Sequence, residues 1–269
     1  MAAFFRYLRT VVRAKKRLGQ HFLNDRSIAE QIVQSLSHNL ENVLEVGAGT
    51  GALTHFLSKR PTRLKVIDID SESIAFLKAH YAHCEHIQII QGDFLKRDIT
   101  QLFDRQPFAL IGNFPYNIST QIIFKVLQNK DYIPEWVGVF QKEVAERVAA
   151  AHGRKIYGIP TVLTQVFYEV AYCFTLDEQV FSPPPKVKSG VLHLLRKAER
   201  PAVDEALFFQ VVKKAFRQRR KTLRNALKGL PLSDELKAHH QLDSRAEQLS
   251  VSDFVQLTKQ IEAARNAKT

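Results

Sequence analysis

Five short apolar runs punctuate the first half of the chain: Val43–Val46, Leu64–Asp68, Ile87–Ile90, Phe108–Gly112 and Trp136–Phe140. Each is dominated by aliphatic or aromatic residues and ends at glycine or polar residues, the pattern of a strand buried on both faces. Amphipathic stretches separate them. Ile28, Ile32, Val33 and Leu36 share one helical face behind a cap at Asp25 or Ser27; Ala52–Leu57, Ser71–Ala82 (Ser71 as cap) and Thr120–Leu127 also read as helices. Strand and helix alternating at this rhythm predict an α/β fold, a parallel sheet with helices on both faces.

After Gln141 the pattern changes. Glu143–Ala150 reads as a helix, and Pro160–Ala171 as a long strand or a strand plus a helix. Phe181-Ser182-Pro183-Pro184-Pro185 is a rigid extended connector, because three prolines join neither a ladder nor a helix. Val191–Leu195 is a last strand, and an antiparallel pair closing the sheet fits. Beyond Pro201 no strand signal remains. Phe208–Lys228, free of Gly and Pro, predicts one helix, and Ser250 or Ser252 caps a final helix bearing Phe254, Leu257 and Ile261. The expected organisation is a basic arm and loop over 1–24, an α/β domain over 25–198 and a small all-helical domain over 199–269.

Sheets of this kind bind ligands beyond the C-terminal ends of their strands. Gly47, Asp68, Asp93 and Asn113 all fall at such ends. Glycines after the first strand let the backbone approach a ligand and adopt positive φ. An acid about twenty residues later suits ribose hydroxyls, the place of Asp68. Asp93 could accept from an adenine amino group, with Phe94 beside the ring. The run Gly47-Ala48-Gly49-Thr50-Gly51-Ala52 also satisfies a dinucleotide fingerprint, but Glu45 two residues earlier suits a cationic ligand better than a pyrophosphate.

Charge adds a polymer to this picture. The chain carries a formal +12 and a pI near 9.7, a balance that points to nucleic acid before membrane. Met1–Gln20 holds Arg6, Arg9, Arg13, Lys15, Lys16 and Arg17 without an acid. A nucleic-acid-contacting arm is the better reading; a mitochondrial presequence shares the composition, but the segment lacks serine. On a single Phe208–Lys228 helix, Lys213, Arg217, Arg220, Lys221, Arg224 and Lys228 would form one RNA-facing stripe opposite Phe209, Val212, Phe216, Leu223 and Leu227. Cys84 and Cys173 offer neither a disulfide framework nor a zinc spacing, and no apolar run reaches spanning length. A cytoplasmic protein with no metal, no membrane association and no obligate protein partner is expected.

The chemistry concentrates in Asn113-Phe114-Pro115-Tyr116. An exocyclic amine on a base is a poor nucleophile, because its lone pair is delocalised into the ring. The Asn113 side-chain oxygen and the Phe114 carbonyl could accept its two N–H groups and favour a pyramidal nitrogen. Pro115 sets the turn, and Tyr116 offers a stacking face. Phe140 and Phe181 could form the opposite wall; each is otherwise an ordinary core aromatic.

Glu45-Val46-Gly47-Ala48-Gly49-Thr50-Gly51 resembles the S-adenosylmethionine loop of class I, Rossmann-like methyltransferases, and Asn113-Phe114-Pro115-Tyr116 the Asn-X-Pro-Tyr box of methyltransferases acting on base amino groups. Lys16–Asp25, Asn113–Thr120, Gln141–Val144, Phe181–Val187 and Gln218–Asn225 resemble the ribosomal RNA adenine dimethyltransferases, most closely their bacterial small-subunit type, from Lys15 to the C-terminal helices. The resemblance implies S-adenosylmethionine as cofactor, with His21, Leu23, Gly47, Gly49, Asp68, Asp93, Phe94 and Asn113 around it. It implies 16S ribosomal RNA, within the small subunit or its precursor, as partner. Two adjacent adenosines in the last hairpin of 16S RNA would be the substrate. Position 21 departs from the family, whose usual residue there is Asn. Rival readings are a 23S RNA adenine methylase, a mitochondrial relative, a non-catalytic ribosome assembly factor and, on the glycine pattern alone, a nicotinamide dehydrogenase.

Overall fold

A computed structural model describes residues 12–37 and 41–267. They divide into two compact units, one running to Ala145 and including Val170–Arg196, the other comprising Glu146–Glu169 and the chain from Lys197.

The first unit is built on a seven-stranded sheet. After β1 (Phe22–Leu23) and α1 (Arg26–Gln34) come β2 (Asn42–Val46), α2 (Thr54–Leu57), β3 (Arg63–Asp68), α3 (Ser71–Tyr81) and β4 (Ile87–Gln91). Then follow β5 (Ala109–Asn113), α4 (Ser119–Gln128), β6 (Glu135–Gln141) and α5 (Lys142–Val148). Helix α6 (Ile159–Gln165), β7 (Tyr168–Leu176), β8 (Phe181–Ser182) and β9 (Ser189–Arg196) complete this part of the chain. The strand order is β4-β3-β2-β5-β6-β9-β7. The first five strands pair in parallel, and β9 runs antiparallel to β6, with Gly138 opposite Leu192. The chain winds outward from β2 to β4, then returns to the other side of β2 with β5. The C-terminal ends of β2 and β5 therefore flank the switch point where such sheets take ligands.

Both faces of the central strands β2, β5 and β6 are buried, whereas the edge strands β4 and β7 keep exposed positions. Val43, Val66, Ile111 and Val139 pack into one cluster with Ile32, Val33 and Leu57, while the alternate residues Leu44, Leu110, Trp136 and Leu192 are also fully buried. Asp25 caps α1 by accepting from Ser27 and Ile28 amides. Asp70, rather than Ser71, caps α3. The stretch around Pro160 resolves into helix first, strand second. Gly158 caps α6 and Pro160 stands in its first turn, where a missing amide is tolerated. A second, two-stranded antiparallel sheet pairs β1 with β8, setting Leu23 opposite Phe181.

The second unit is helical: α7 (Glu205–Arg217), α8 (Leu223–Ala226), α9 (Asp234–Ala238) and α10 (Val251–Asn266), joined by residues 146–169. Its core includes Tyr157, Phe216 and Phe254, with ring centroids 6.0 and 5.7 Å apart in sequence. Ser250 caps α10 by accepting from the Asp253 amide. The single helix expected over Phe208–Lys228 is interrupted. It ends at Arg217, and Gln218 leaves helical geometry with φ −121° and ψ 57°. The Arg219 guanidinium donates to the Lys155 carbonyl at 2.7 Å and to that of Tyr157, which ties down the connecting turn. No helix among the described residues is long and apolar enough to cross a membrane.

Candidate active site

Gly47 closes β2 with φ 73°, and Gly49 follows with φ 54°. A side chain on Gly49 would place its Cβ 2.7 Å from the Phe22 ring. Absence of a side chain thus lets the turn lie directly under the N-terminal loop. The Gly49 amide donates to Asp68 Oδ2 at 2.9 Å, and the Asp70 amide to Asp68 Oδ1 at 2.8 Å. Burial raises the Asp68 carboxyl above its ordinary value, against these two bonds. Each oxygen retains a further acceptor direction, which a ribose hydroxyl could use.

Glu45 does not face this pocket. It lies in the core, 1% exposed, and accepts from Thr54 Oγ1 at 2.7 Å. Burial pushes its carboxyl up to about 8. Its role is to join the strand before the glycine turn to the helix after it.

Asn113, Pro115 and Tyr116 meet Gly47, Gly49, Asp68, Asp93 and Phe94 around a single pocket, with Arg17–Phe22 as another wall. The carbonyl of Asn113 and the ring of Pro115 come within 4 Å of where a Gly47 side chain would begin. Asn113 Nδ2 donates to the His21 carbonyl at 2.8 Å. With the nitrogen so engaged, the side-chain oxygen is the acceptor end of the amide. Tyr116 opens the short 3-10 turn Tyr116–Ile118, and its hydroxyl lies 2.5 Å from Ser189 Oγ. The N-terminal wall is fastened from below: Lys15 pairs with Asp70 and, at 3.0 Å, with Glu72, and Gln20 donates to Asp70 Oδ2 at 3.2 Å.

Glycines free of side chains, the buried acid Asp68, a second acid at Asp93 and an amide acceptor at the adjacent strand end form a donor and acceptor set that fits S-adenosylmethionine beside an amino-bearing base. Comparison with known proteins agrees. Residues 11–263 match the family model described as ribosomal RNA adenine dimethylase. The chain belongs to the ribosomal RNA adenine dimethylase family. It is 53% identical over 94% of its length to the ribosomal RNA small subunit methyltransferase A of Flavobacterium johnsoniae, covering 97% of that protein. The protein of the same name in Bacteroides thetaiotaomicron is 50% identical over 96% of this chain and 98% of its own. Among solved structures, a dimethyladenosine transferase from Plasmodium falciparum superposes with TM-score 0.79 at 25% identity, over 91% of this chain and 98% of that one. The 23S rRNA methyltransferase ErmE, at TM-score 0.70 and 22% identity over 90% and 99%, shares the fold.

Other residues singled out in the sequence lie elsewhere. Phe140 is fully buried, its centroid 5.2 Å from Phe114 and 5.9 Å from Trp136; it backs the dimethylase box from within the core and offers no wall to a base. Phe181 is 2% exposed and packs in the same cluster as Leu23, so neither face is open. Strand alternation turns the Leu23 side chain inward with it and leaves Phe22 lining the pocket. The Phe114 ring, 1% exposed, anchors the box in the core.

Within the helical unit, Lys213, Arg217, Arg220, Lys221 and Lys228 are exposed, but the broken helix prevents one continuous stripe. Arg224 is committed internally: Nε and Nη2 donate to Asp243 Oδ1 at 2.9 and 2.7 Å, and Nη1 bonds the Lys237 carbonyl. Ser189, Phe22 and Gln20 were not singled out as site residues by their sequence. Phe22 and Gln20 sit inside a recognisable signature; for Ser189, far along the chain from Tyr116, no local signal exists.

Proposed function

We propose that this protein transfers methyl groups from S-adenosylmethionine to the N6 amino groups of two adjacent adenosines in the 3′-terminal hairpin of 16S ribosomal RNA. The product is N6,N6-dimethyladenosine, made in the cytoplasm within the small ribosomal subunit or its precursor. The observation that carries this reading is Asn113. Its amide is held by the His21 carbonyl at 2.8 Å, at the strand end next to the glycine loop.

When bound, S-adenosylmethionine supplies an electrophilic methyl group on a cationic sulfonium. Gly47, Gly49, Asp68, Asp93 and Phe94 would hold it, the glycines by allowing close main-chain approach and the carboxylates as acceptors for its hydroxyl and amino groups. The Asn113 side-chain oxygen accepts one N–H of the target amine, and the Phe114 carbonyl accepts the other. Both bonds draw the nitrogen toward a pyramidal shape with its lone pair available, so positioning and electrostatics carry the rate. Tyr116 stacks the base, which must leave its helix or lie in a loop to reach the pocket. Acceptance of a second methyl requires the monomethylated amine to rotate and present its remaining N–H to one of these acceptors.

The helical domain, 199–269 together with 146–169, and the basic residues before His21 supply phosphate contacts. Mass mapping of small-subunit RNA, purified from unmethylated particles after incubation with protein and S-adenosylmethionine, tests the reading. Two adjacent dimethyladenosines near the 3′ end are expected. Modification of 23S RNA alone, or tight binding without transfer, would refute it.

A further inference from the structure

Tyr116 is gripped from two directions. The His21 ring stacks on it, with centroids 5.4 Å apart and planes inclined by 24°. The Tyr116 hydroxyl lies 2.5 Å from the hydroxyl of Ser189, a residue with no exposed surface. Ser189 opens β9 opposite Gln141 of β6, so it stands on the sheet itself. The His21 ring is pinned in turn. Its Nδ1 lies 2.7 Å from the Pro183 carbonyl, and a carbonyl only accepts, so Nδ1 carries the proton. The His21 carbonyl receives the Asn113 amide. One residue of the N-terminal loop therefore contacts the stacking ring, the amine-accepting amide and the proline connector at once.

An unrestrained tyrosine at the mouth of a pocket has two faces and two rotatable bonds. Here one face carries the imidazole and the hydroxyl end is anchored in the sheet. We infer that His21 and Ser189 are positioning residues of the base platform, closing one face of Tyr116 and fixing its tilt so that the target adenine has a single preset face to stack on. This rests on the reading of Tyr116 as the base-stacking residue. It assigns the His21 side chain a role toward the RNA base in place of the cofactor contact that its place in the signature implies. It also assigns Ser189 a role that its position in the sequence does not suggest.

The test uses the full chain, unmethylated small ribosomal subunits and S-adenosylmethionine. Transfer is followed at saturating cofactor and RNA, and S-adenosylhomocysteine affinity is measured separately by calorimetry. His21→Ala is expected to lower kcat roughly two- to tenfold, the range for losing one aromatic pair, with S-adenosylhomocysteine affinity within about twofold of the parent. His21→Phe, which keeps a ring on Tyr116, is expected to retain most of the rate and to control for folding. Ser189→Ala is expected to lower kcat to a similar degree, and to have no further effect when Tyr116 is already Phe, because its only route is the hydroxyl.

A His21→Ala variant that loses cofactor affinity but keeps its kcat would overturn the inference, leaving His21 a cofactor contact. So would a faster His21→Ala enzyme, which would mean that the imidazole occupies the place of the base. A loss from Ser189→Ala that persists in the Tyr116→Phe background would overturn the assignment of Ser189. An unaffected rate in Tyr116→Ala would instead refute the stacking role of Tyr116, a different result from any of these.

Discussion

Asn113 Nδ2 and the His21 carbonyl oxygen are 2.8 Å apart, so the side-chain oxygen at the end of β5 is oriented by the main chain of a loop that precedes the sheet. In the proposed reaction the cofactor and the base would meet at this contact. A change at Asn113 should affect both its own acceptor and the seating of the N-terminal loop.

Asn113→Ala removes the acceptor for the target amine. Single-turnover transfer to unmethylated small subunits should fall by about 100-fold or more, the range for losing one preorganised polar group at a reacting centre, while RNA affinity is preserved. Asn113→Asp should be at least as slow, because a carboxylate cannot donate to the His21 carbonyl. Near-normal turnover in either variant would remove Asn113 from the mechanism.

Gly49→Ala meets two obstacles. Its φ of 54° is strained for any residue with a Cβ, and that atom would sit 2.7 Å from the Phe22 ring. Displacement of Phe22 opens the pocket wall. Calorimetry should show S-adenosylmethionine affinity reduced by about tenfold, the equivalent of one to two kcal/mol of strain. Unchanged affinity would mean that Phe22 does not close the cofactor pocket.

Glu45 gives the stability a definite pH dependence. Its folded carboxyl titrates near 8, above the ordinary 4.5, chiefly through burial. Between these values the folded state retains a proton that the unfolded chain releases. This contribution therefore favours folding least at high pH: stability falls as pH rises from about 4.5 and levels off above about 8. Glu45→Gln should flatten that slope and raise stability at pH 8, by on the order of 4 kcal/mol if the full shift is expressed. Denaturant unfolding at pH 5 and pH 8 measures the difference, and parallel pH profiles for parent and variant would contradict it.

The basic residues of the helical unit should separate into two behaviours. Arg220 and Lys221 are exposed in the turn after α7. Replacing each with Ala should reduce the slope of log affinity against log salt by about one for ribosomal RNA, without changing stability. Arg224 holds Asp243 and the Lys237 carbonyl. Arg224→Ala should instead lower stability by about 1 kcal/mol, discounted for its partial exposure, and leave the salt slope nearly intact. Equal effects of all three on RNA binding would show that Arg224 leaves its internal partners to meet RNA.

Strand positions, the glycine turn, the Asp68 and Asp93 strand ends and the Asn113–Tyr116 box were legible in the chain itself. The reason is local: burial on both faces demands continuous apolar runs, positive φ at a turn demands glycine, and the box residues are adjacent in sequence. The family signatures are contiguous for the same reason. Tertiary structure decided everything that depends on which buried residue meets which. In the sequence Phe140 and Phe181 read as either core or pocket wall, and Leu23 enters only through the family resemblance; only the packing against Trp136 and Phe114, and the pairing of β1 with β8, sends them inward. A pattern without Gly or Pro suggests an unbroken helix over Phe208–Lys228, but the bonds of Arg219 to residues 155 and 157 stabilise a turn that intrinsic propensity does not encode. The contacts of Tyr116 with His21 and Ser189 join three segments far apart in the chain. No local rule links such positions, because their meeting is a consequence of sheet order and register.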